Sequence, residues 1–221
     1  MQNAGHELRT PLTSLRTNVS VMSRFAELSP SSQQRLLDDV TGETRELTNL
    51  INELVELAMD RRDDENAEPV DLSALVGKVA AMFEHRSKRT IVVRADPDVV
   101  VLGRPKALER AISNLLDNAL KFDTGSGAVG VSVTGDRVEV SDRGPGIDPD
   151  DSPKIFDRFF RADAARSMPG SGLGLAIVAE VAAVHGGVGF VEARAGGGAR
   201  IGFTLGAETL LPNSNPLPAI T

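Results

Sequence analysis

The residues with the clearest chemical potential stand near the start of the chain, in the string Gly-His-Glu-Leu-Arg-Thr-Pro-Leu at positions 5–12. His6 is followed directly by Glu7, and Thr10 comes four residues after the histidine. On a helix, this spacing would present an imidazole, a carboxylate and a hydroxyl close to one another. Neutral imidazole is available as a nucleophile near pH 7, because its unperturbed pKa is about 6.5. The ordinary alternative is a solvated histidine on a helix surface.

A second group of polar residues has the spacing of a site for a cation and a phosphate. In the string Asn-Leu-Leu-Asp-Asn-Ala-Leu-Lys, Asn114 and Asn118 are one helical turn apart, and Lys121 follows three residues later. Amide oxygens can coordinate a hard cation, and a lysine ammonium can contact phosphate. Asparagine pairs on helices are usually solvated, so this spacing alone is a weak indication.

A carboxylate and two glycines follow a predicted strand in the string Asp-Arg-Gly-Pro-Gly-Ile. Asp142 can accept a hydrogen bond from an exocyclic amine, which adenine has at N6 and guanine lacks at the same place. Gly144 and Gly146 would let the backbone approach a planar base, because they carry no Cβ atom. An Asp-Gly turn between two strands is the alternative.

Two further segments could contact phosphates. Residues 155–161 hold three of the eight phenylalanines, together with Arg158 and Arg161, which could reach phosphates when the segment closes. The string Gly-Ser-Gly-Leu-Gly at 170–174 runs into an apolar helix, whose first N–H groups and dipole favour an anion. The phenylalanines could equally be core residues, and the glycines a helix cap. No Walker A pattern occurs, which excludes an ordinary P-loop NTPase.

Two long helices are predicted to carry the first group. The apolar positions of the first helix alternate at spacings of four and three, the seam of a packed helix, and are Leu8, Leu12, Leu15, Val19 and Met22. The pattern predicts helices over about 3–28, bent at Pro11, and over about 32–61. Such a hairpin has more apolar surface than it can bury alone, which favours a dimeric four-helix bundle. A monomeric hairpin packed on the following domain is the alternative.

The rest of the chain has the mixed pattern of an α/β domain. Helices are predicted at about 71–86 with Asp71 as a cap, from Pro105 onward, and at about 173–185, where His185 has a structural role. Short β-branched strands are predicted at about 90–95, 99–102, 128–134, 137–141, 188–194 and 199–205.

Composition narrows the range of partners. The 221 residues are 41% hydrophobic and 25% charged, which are ordinary globular values. A net charge of −7 argues against nucleic acid or an anionic membrane surface as the main partner. There is no cysteine, which excludes disulfides and thiolate metal sites. Since there is no apolar run of about 18 residues, we expect a soluble chain without membrane contact of its own.

The string at 6–12 closely resembles the phosphoacceptor box of bacterial sensor histidine kinases. Later strings resemble the N box, first glycine box, F box and second glycine box of that family in the family's order, at 114–121, 142–147, 155–161 and 170–178. The sequence departs from the family at Phe122-Asp123, where Tyr-Thr is frequent, and at Pro169, where glycine is common.

The resemblance implies a helical hairpin that forms a dimeric four-helix bundle, followed by an α/β sandwich whose mixed sheet is covered by helices on one face. We expect a dimerisation and histidine phosphotransfer domain over 1–62, a linker and hinge over 63–69, a catalytic ATP-binding domain over 70–208 and a disordered tail over 209–221.

The resemblance also implies a reaction. ATP and Mg²⁺ are the expected cofactors, and His6 would be phosphorylated and would pass its phosphoryl group to an aspartate of a response regulator receiver domain. Glu7 would orient the imidazole, Thr10 would serve dephosphorylation of the regulator, and Asn118 would be the magnesium ligand. The residues expected to bind the nucleotide, with 162–169 as a lid, are Asn114, Asn118, Lys121, Asp142, Gly144, Gly146, Phe160, Arg161, Gly170, Gly172, Leu173 and Gly174.

Family members carry a sensor region ahead of the phosphoacceptor box, so we expect a cytoplasmic part of a longer protein anchored in the bacterial inner membrane. Two other functions use similar parts. One is a catalytically silent dimeric scaffold, against which the intact His6, Asn118 and Asp142 argue. The other is an ATPase of the gyrase or chaperone type, against which the helical histidine box argues.

Overall fold

The computed structural model describes residues 2–59, 65–162, 168 and 170–212, and within the two long N-terminal helices it describes the backbone alone for 2–8, 10, 45, 46, 49, 50 and 52–59. The chain divides into two compact units. The hairpin unit comprises Met1–Arg62 and Phe159–Leu173, and the sheet unit comprises Asp63–Arg158 and Gly174–Thr221.

The hairpin consists of two helices joined by a short turn. Helix α1 spans Gln2–Met22 with Pro11 inside it, a 3₁₀ turn follows at Phe25–Glu27, and α2 spans Pro30–Met59. Proline suits the first position of a helix, where no N–H is needed, and α2 begins two residues earlier than the sequence predicted. The Gln33 side chain closes the turn by donating to the carbonyl of residue 25 at 2.9 Å.

The apolar seam of this hairpin is largely exposed. Relative exposure is 58% for Leu12, 53% for Val19, 41% for Leu37 and 51% for Ile51, whereas Leu36 is buried. Among the described side chains, the two helices therefore leave a large part of their apolar stripe exposed.

The sheet unit contains two sheets. In the five-stranded sheet the order is β2-β4-β5-β7-β6, with β2 and β4 parallel and the other pairs antiparallel, which confirms the predicted mixed sheet. Its strands are β2 Ile91–Ala95, β4 Val129–Thr134, β5 Arg137–Ser141, β6 Gly189–Ala193 and β7 Ala199–Thr204. A second, two-stranded antiparallel sheet joins β1 Glu68–Asp71 to β3 Val100–Gly103. The sequence did not predict β1, which starts inside the expected linker.

Three helices cover one face of the large sheet, as expected. They are α3 Leu72–Ser87, α4 Pro105–Phe122 and α5 Gly174–Val184. The core lies between the two layers because alternate strand residues, such as Val131 and Val138, point toward the helices and are buried. Their neighbours on the other face, such as Ser132 and Glu139, are partly exposed.

The ends of these helices are held by side chains. Asp71 caps α3 by accepting from the Ala74 N–H at 2.8 Å, as predicted. At the start of α4, the carboxylate of Glu65 accepts from the N–H groups of Lys106 at 2.8 Å and Ala107 at 3.3 Å. Residue 65 therefore belongs structurally to the sheet unit.

The predicted structural role of His185 agrees with its surroundings. It is buried, its Nε2 accepts from the Arg104 N–H at 3.0 Å, and its Nδ1 lies 2.7 Å from the Val181 carbonyl oxygen. Since Nε2 accepts, Nδ1 carries the proton and donates. This histidine ties the end of α5 to the residue before α4.

The described part of the expected tail is attached to the sheet unit. Ala207–Thr209 form a 3₁₀ turn, Leu210 pairs with Val101, and the Leu211 N–H donates to the Val100 carbonyl at 2.9 Å. Residues 213–221 lie outside the described residues. Across the part of the chain that is described, no helix has both the length and the apolar character needed to cross a membrane.

Candidate functional site

The candidate phosphoacceptor lies on α1. The helix is continuous from Gln2 to Met22, so the backbone has the helical spacing that places His6 and Thr10 on one face. The side chains of His6, Glu7 and Thr10 lie outside the described residues.

Helix α4 presents the N box on its half-exposed side. Its buried stripe faces the core and consists of Ala107, Leu108, Ala111, Ile112, Leu115, Leu116 and Ala119. Asn114, Asn118 and Lys121 lie off this stripe and are partly exposed. Because the apolar stripe faces the core, these three polar residues lie on the side of α4 that is open to solvent.

The N box meets the start of α5. The Asn114 amide nitrogen donates to the Arg110 carbonyl at 3.0 Å, and its Oδ1 would be 2.8 Å from a Cβ placed on Gly174. A side chain at Gly174 would therefore collide with Asn114. This close approach joins the N box to the last glycine of the second glycine box.

The aspartate of the first glycine box is buried at the end of β5. Asp142 is 4% exposed, and its Oδ1 accepts from the Gly144 N–H at 2.8 Å and the Ala199 N–H at 3.2 Å. Backbone groups thus fix the carboxylate by one oxygen, while its other oxygen, Oδ2, has no donor among the described residues.

The glycines of this loop are required by its packing. A Cβ on Gly144 would lie 2.8 Å from the Phe122 carbonyl oxygen at the end of α4. Gly146 has a φ of +81°, a left-handed conformation that side chains disfavour. The loop therefore passes against the C-terminal end of α4, which brings the first glycine box next to the N box.

The sequence did not single out the buried carboxylate at the joint between these two boxes. Asp123 follows α4 and is 1% exposed, and its Oδ2 accepts from the Arg143 N–H at 3.1 Å. Its Oδ1 accepts from the Gly125 N–H at 3.0 Å and lies 3.2 Å from Nη2 of Arg89. Burial by itself raises the pKa of this carboxyl, but the bonds from Arg143, Arg89 and Gly125 outweigh it and leave the pKa lowered. Asp123 is therefore ionised.

The F box and the second glycine box form the two ends of one loop. The Phe159 N–H donates to the Gly172 carbonyl at 3.0 Å, and a Cβ on Gly172 would lie 2.7 Å from the Phe160 carbonyl oxygen. Phe160, Gly170 and Gly172 are partly exposed, whereas the Leu173 side chain is fully buried. Leu173 can therefore offer a nucleotide only its backbone.

The two arginines of the F box already have partners. Arg158 forms an ion pair with Glu180 of α5 at 2.8 Å, and Arg161 donates to the Met168 carbonyl. We expected Arg158 to reach phosphate, but it would first have to leave Glu180. Of the expected lid, residues 163–167 and 169 lie outside the described residues.

Two families match the chain. The His Kinase A (phospho-acceptor) domain matches residues 1–62, and the Histidine kinase-, DNA gyrase B-, and HSP90-like ATPase family matches residues 103–209. The first covers the hairpin helices, and the second covers α4, the Asp142 loop and the glycine-rich loop before α5.

Named relatives match all or nearly all of the chain. It is 39% identical over 235 residues to the signal transduction histidine-protein kinase/phosphatase MprB of Mycolicibacterium smegmatis, covering 100% of this chain and 47% of the relative. The MprB of Mycobacterium avium is 40% identical over 231 residues, covering 98% and 43% respectively. The chain thus spans about half the length of the curated relatives it matches.

Solved structures agree with these matches. The mycobacterial sensor histidine kinase MprB has a TM-score of 0.57 and 38% identity, covering 62% of this chain and 97% of that one. The histidine kinase AdeS of Acinetobacter baumannii has a TM-score of 0.68, covers 90% of this chain and 96% of that one, and at 24% identity supports the fold alone. The resemblance expected from the five sequence boxes is confirmed, and the chain belongs to the bacterial sensor histidine kinase family.

Proposed function

We propose that this chain is the catalytic core of a sensor histidine kinase that phosphorylates His6 with ATP and Mg²⁺ and passes the phosphoryl group to an aspartate of a response regulator. The observation that carries the proposal is the packing of the Asp142 loop and the start of α5 against α4. It gathers an adenine acceptor, an amide pair and a phosphate-binding glycine around one helix.

Adenine recognition falls to Asp142. Its Oδ1 is held by two backbone N–H groups, and its Oδ2 accepts from the exocyclic amine of the base. A base with oxygen at that position would place a lone pair against the carboxylate, which is repulsive. Asp142 therefore favours adenine.

The residues present fit a magnesium ion held together with a nucleotide. Among the described residues no cluster of three or more His, Cys, Asp or Glu could hold a metal by itself. Mg²⁺ is often bound by only one or two protein groups plus phosphate oxygens, and the Asn118 amide oxygen supplies such a ligand. When bound, Mg²⁺ neutralises charge on the phosphates. Lys121 adds a positive charge three residues along the same helix.

The phosphoryl transfer uses the imidazole of His6. A ring nitrogen forms a bond to the γ-phosphorus while the bond from that phosphorus to the bridging oxygen breaks, and ADP leaves. Glu7 orients the ring by accepting from its other N–H and stabilises the positive charge that develops. Replacing Glu7 by Gln should reduce autophosphorylation while ATP affinity stays near wild type.

The curated relatives are named kinase/phosphatases, and we extend both activities to this chain. Thr10 would orient a water molecule toward the acyl phosphate of the regulator. In this proposal the Thr10→Ala variant dephosphorylates the regulator more slowly than wild type and still autophosphorylates. Equal rates would remove Thr10 from the phosphatase reaction.

We further propose that two copies pair through α1 and α2, since this hairpin leaves apolar residues such as Leu12 and Val19 exposed. The chain would be the cytoplasmic part of a kinase anchored in the inner membrane, with a receiver domain as its other partner.

The test of the kinase activity is labelling with γ-phosphate-labelled ATP and Mg²⁺. Wild type should take up an acid-labile, base-stable label that the His6→Gln variant loses. His85→Gln, which changes an exposed histidine of the sheet unit, is the matched control and should keep the label. Label that persists in His6→Gln would overturn the assignment. Equal release of free phosphate by wild type and His6→Gln, without protein label, would favour a gyrase-type or chaperone-type ATPase.

A further inference from the structure

Asp123 connects two parts of the nucleotide site that are distant in sequence. Its Oδ2 accepts from the Arg143 N–H, twenty residues further on, and Arg143 stands between Asp142 and Gly144. The carbonyl of Phe122, the residue before Asp123, is the group that a Cβ on Gly144 would strike. The end of α4 and the adenine loop are therefore fastened at adjacent residues.

The environment of Asp123 holds it as an anion. A buried carboxylate is costly unless it is paired and hydrogen-bonded, and Asp123 has three donors. Arg89 also donates to the carbonyls of Asp123 at 2.7 Å and Gly127 at 2.6 Å, which holds the chain at Asp123 and in the turn that follows it. Arg89 and the Gly125 N–H thus bind one oxygen of Asp123, and the other oxygen binds the Arg143 N–H.

We propose that Asp123 is a positioning residue for adenine recognition, which sets the place of the Asp142 loop relative to α4. This inference rests on the proposed function, because it assumes that Asp142 binds the base. It assigns a specific role to a position where this sequence departs from its family, which often has threonine there.

The physical reason is the number of acceptor oxygens. Asp123 uses one oxygen for Arg143 and the other for Gly125 and Arg89. An asparagine has a single acceptor oxygen, and the Arg89 charge attracts it. The amide NH₂ of Asp123→Asn then faces the Arg143 N–H, donor against donor, and the loop shifts away from α4.

The experiment compares ATP with inosine triphosphate, which carries oxygen in place of the exocyclic amine. In wild type we expect ATP to bind at least about tenfold more tightly than inosine triphosphate, because only ATP can donate a hydrogen bond to the Asp142 carboxylate. In Asp123→Asn we expect the ATP dissociation constant to rise about tenfold, and that of inosine triphosphate by a factor of about three or less. The ratio of the two constants, rather than stability, is the readout.

Two variants separate positioning from a structural role. Arg89→Gln removes a partner of Oδ1 and leaves the Arg143 bond, so it should lower the melting temperature and keep the ratio. Asp98→Asn removes an exposed carboxylate in the turn between β2 and β3, outside the nucleotide site, and should change neither strongly. Asp123→Thr, with a hydroxyl that can accept from Arg143, should keep more of the ratio than Asp123→Asn. It also remains informative if the asparagine variant does not fold.

The outcomes are distinguishable. A lowered melting temperature with an unchanged ratio in both Asp123 variants would make Asp123 merely structural and overturn the inference. Wild type that fails to bind ATP, or that binds both nucleotides equally, would instead overturn the proposed adenine site.

Discussion

The hairpin and the sheet unit bury their apolar residues in different ways. In the sheet unit, large side chains such as Leu72, Phe83 and Phe203 are at most 1% exposed. In the hairpin helices, Leu12 and Val19 are more than half exposed, and Leu36 is the only large apolar side chain that is buried among the described side chains of α1 and α2.

This difference follows from the number of layers. A sheet with helices on one face encloses a core within one chain, so the apolar side chains of the two layers bury one another. Two helices alone have no interior, and each can turn only one narrow face to the other. The sheet unit should therefore be stable as a single copy, whereas the hairpin should depend on a second copy and on protein concentration.

The largest effect should come from charges placed on the exposed hairpin seam. The double substitution Leu12→Asp and Val19→Asp would bring four carboxylates into the symmetric interface. We expect the dimer dissociation constant to rise by at least about a thousandfold, or about 4 kcal/mol, because buried unpaired charges are costly. Sedimentation equilibrium measures the change directly.

The matched control places the same charge on an exposed apolar residue of the sheet unit. Val188 is 64% exposed, and Val188→Asp should leave the dimer intact. A double hairpin variant that still dimerises as wild type does would refute the idea that this seam is the interface.

A smaller effect on stability should distinguish the core of the sheet unit, which is buried within one chain, from the hairpin seam, which we expect a second copy to bury. Leu72→Ala removes a fully buried side chain of the sheet unit and should cost about 3 kcal/mol of unfolding free energy at every protein concentration. Leu12→Ala should instead weaken a transition that moves with concentration. Calorimetry at two concentrations a hundredfold apart would show both, and a concentration-dependent effect of Leu72→Ala would contradict the separation.

The sequence predicted the fold well where the pattern is local. The alternation of buried residues in β4 and β5 and the apolar stripe of α4 each repeat with the period of their element, so spacing alone identifies them. β1 was missed because its four residues include Pro69 and two acidic residues, with only Val70 buried. Its conformation comes from pairing with β3, about thirty residues away, and the residues of β1 itself do not indicate this pairing.

The candidate site shows the same division. Asn114 and Asp142 were predicted because each belongs to a short string with characteristic spacing. Asp123 was recognised only as a departure from the family, because its role depends on Arg143. Arg158 was expected to reach phosphate, and its pairing with Glu180, 22 residues later, could not be deduced from composition.

Acid should destabilise the sheet unit through Asp123. Its pKa is lowered in the fold by Arg143, Arg89 and Gly125 against the opposing effect of burial. The ionised form is therefore favoured by folding, and this contribution is present above the unfolded pKa of about 3.9 and is lost as pH falls through the lower folded pKa. Unfolding free energies of wild type and Asp123→Asn, measured from pH 7 downward, should converge below about pH 4. Curves that stay parallel would mean that ionisation of Asp123 contributes nothing.

The smallest effect on stability should show which of the two units the end of the linker stabilises. Glu65 was expected to be linker, yet its carboxylate accepts from two N–H groups at the start of α4. Glu65→Gln leaves one acceptor oxygen and removes the negative charge from the positive end of the helix dipole, which should cost about 1 kcal/mol. The loss should lie in the concentration-independent transition and lower its midpoint by about 4 °C. Glu68→Gln, on an exposed residue of β1, is the matched control and should have almost no effect. If Glu65→Gln moved only the concentration-dependent transition, residue 65 would contribute to the stability of the hairpin instead. The boundary between the hairpin unit and the sheet unit would then lie after residue 65.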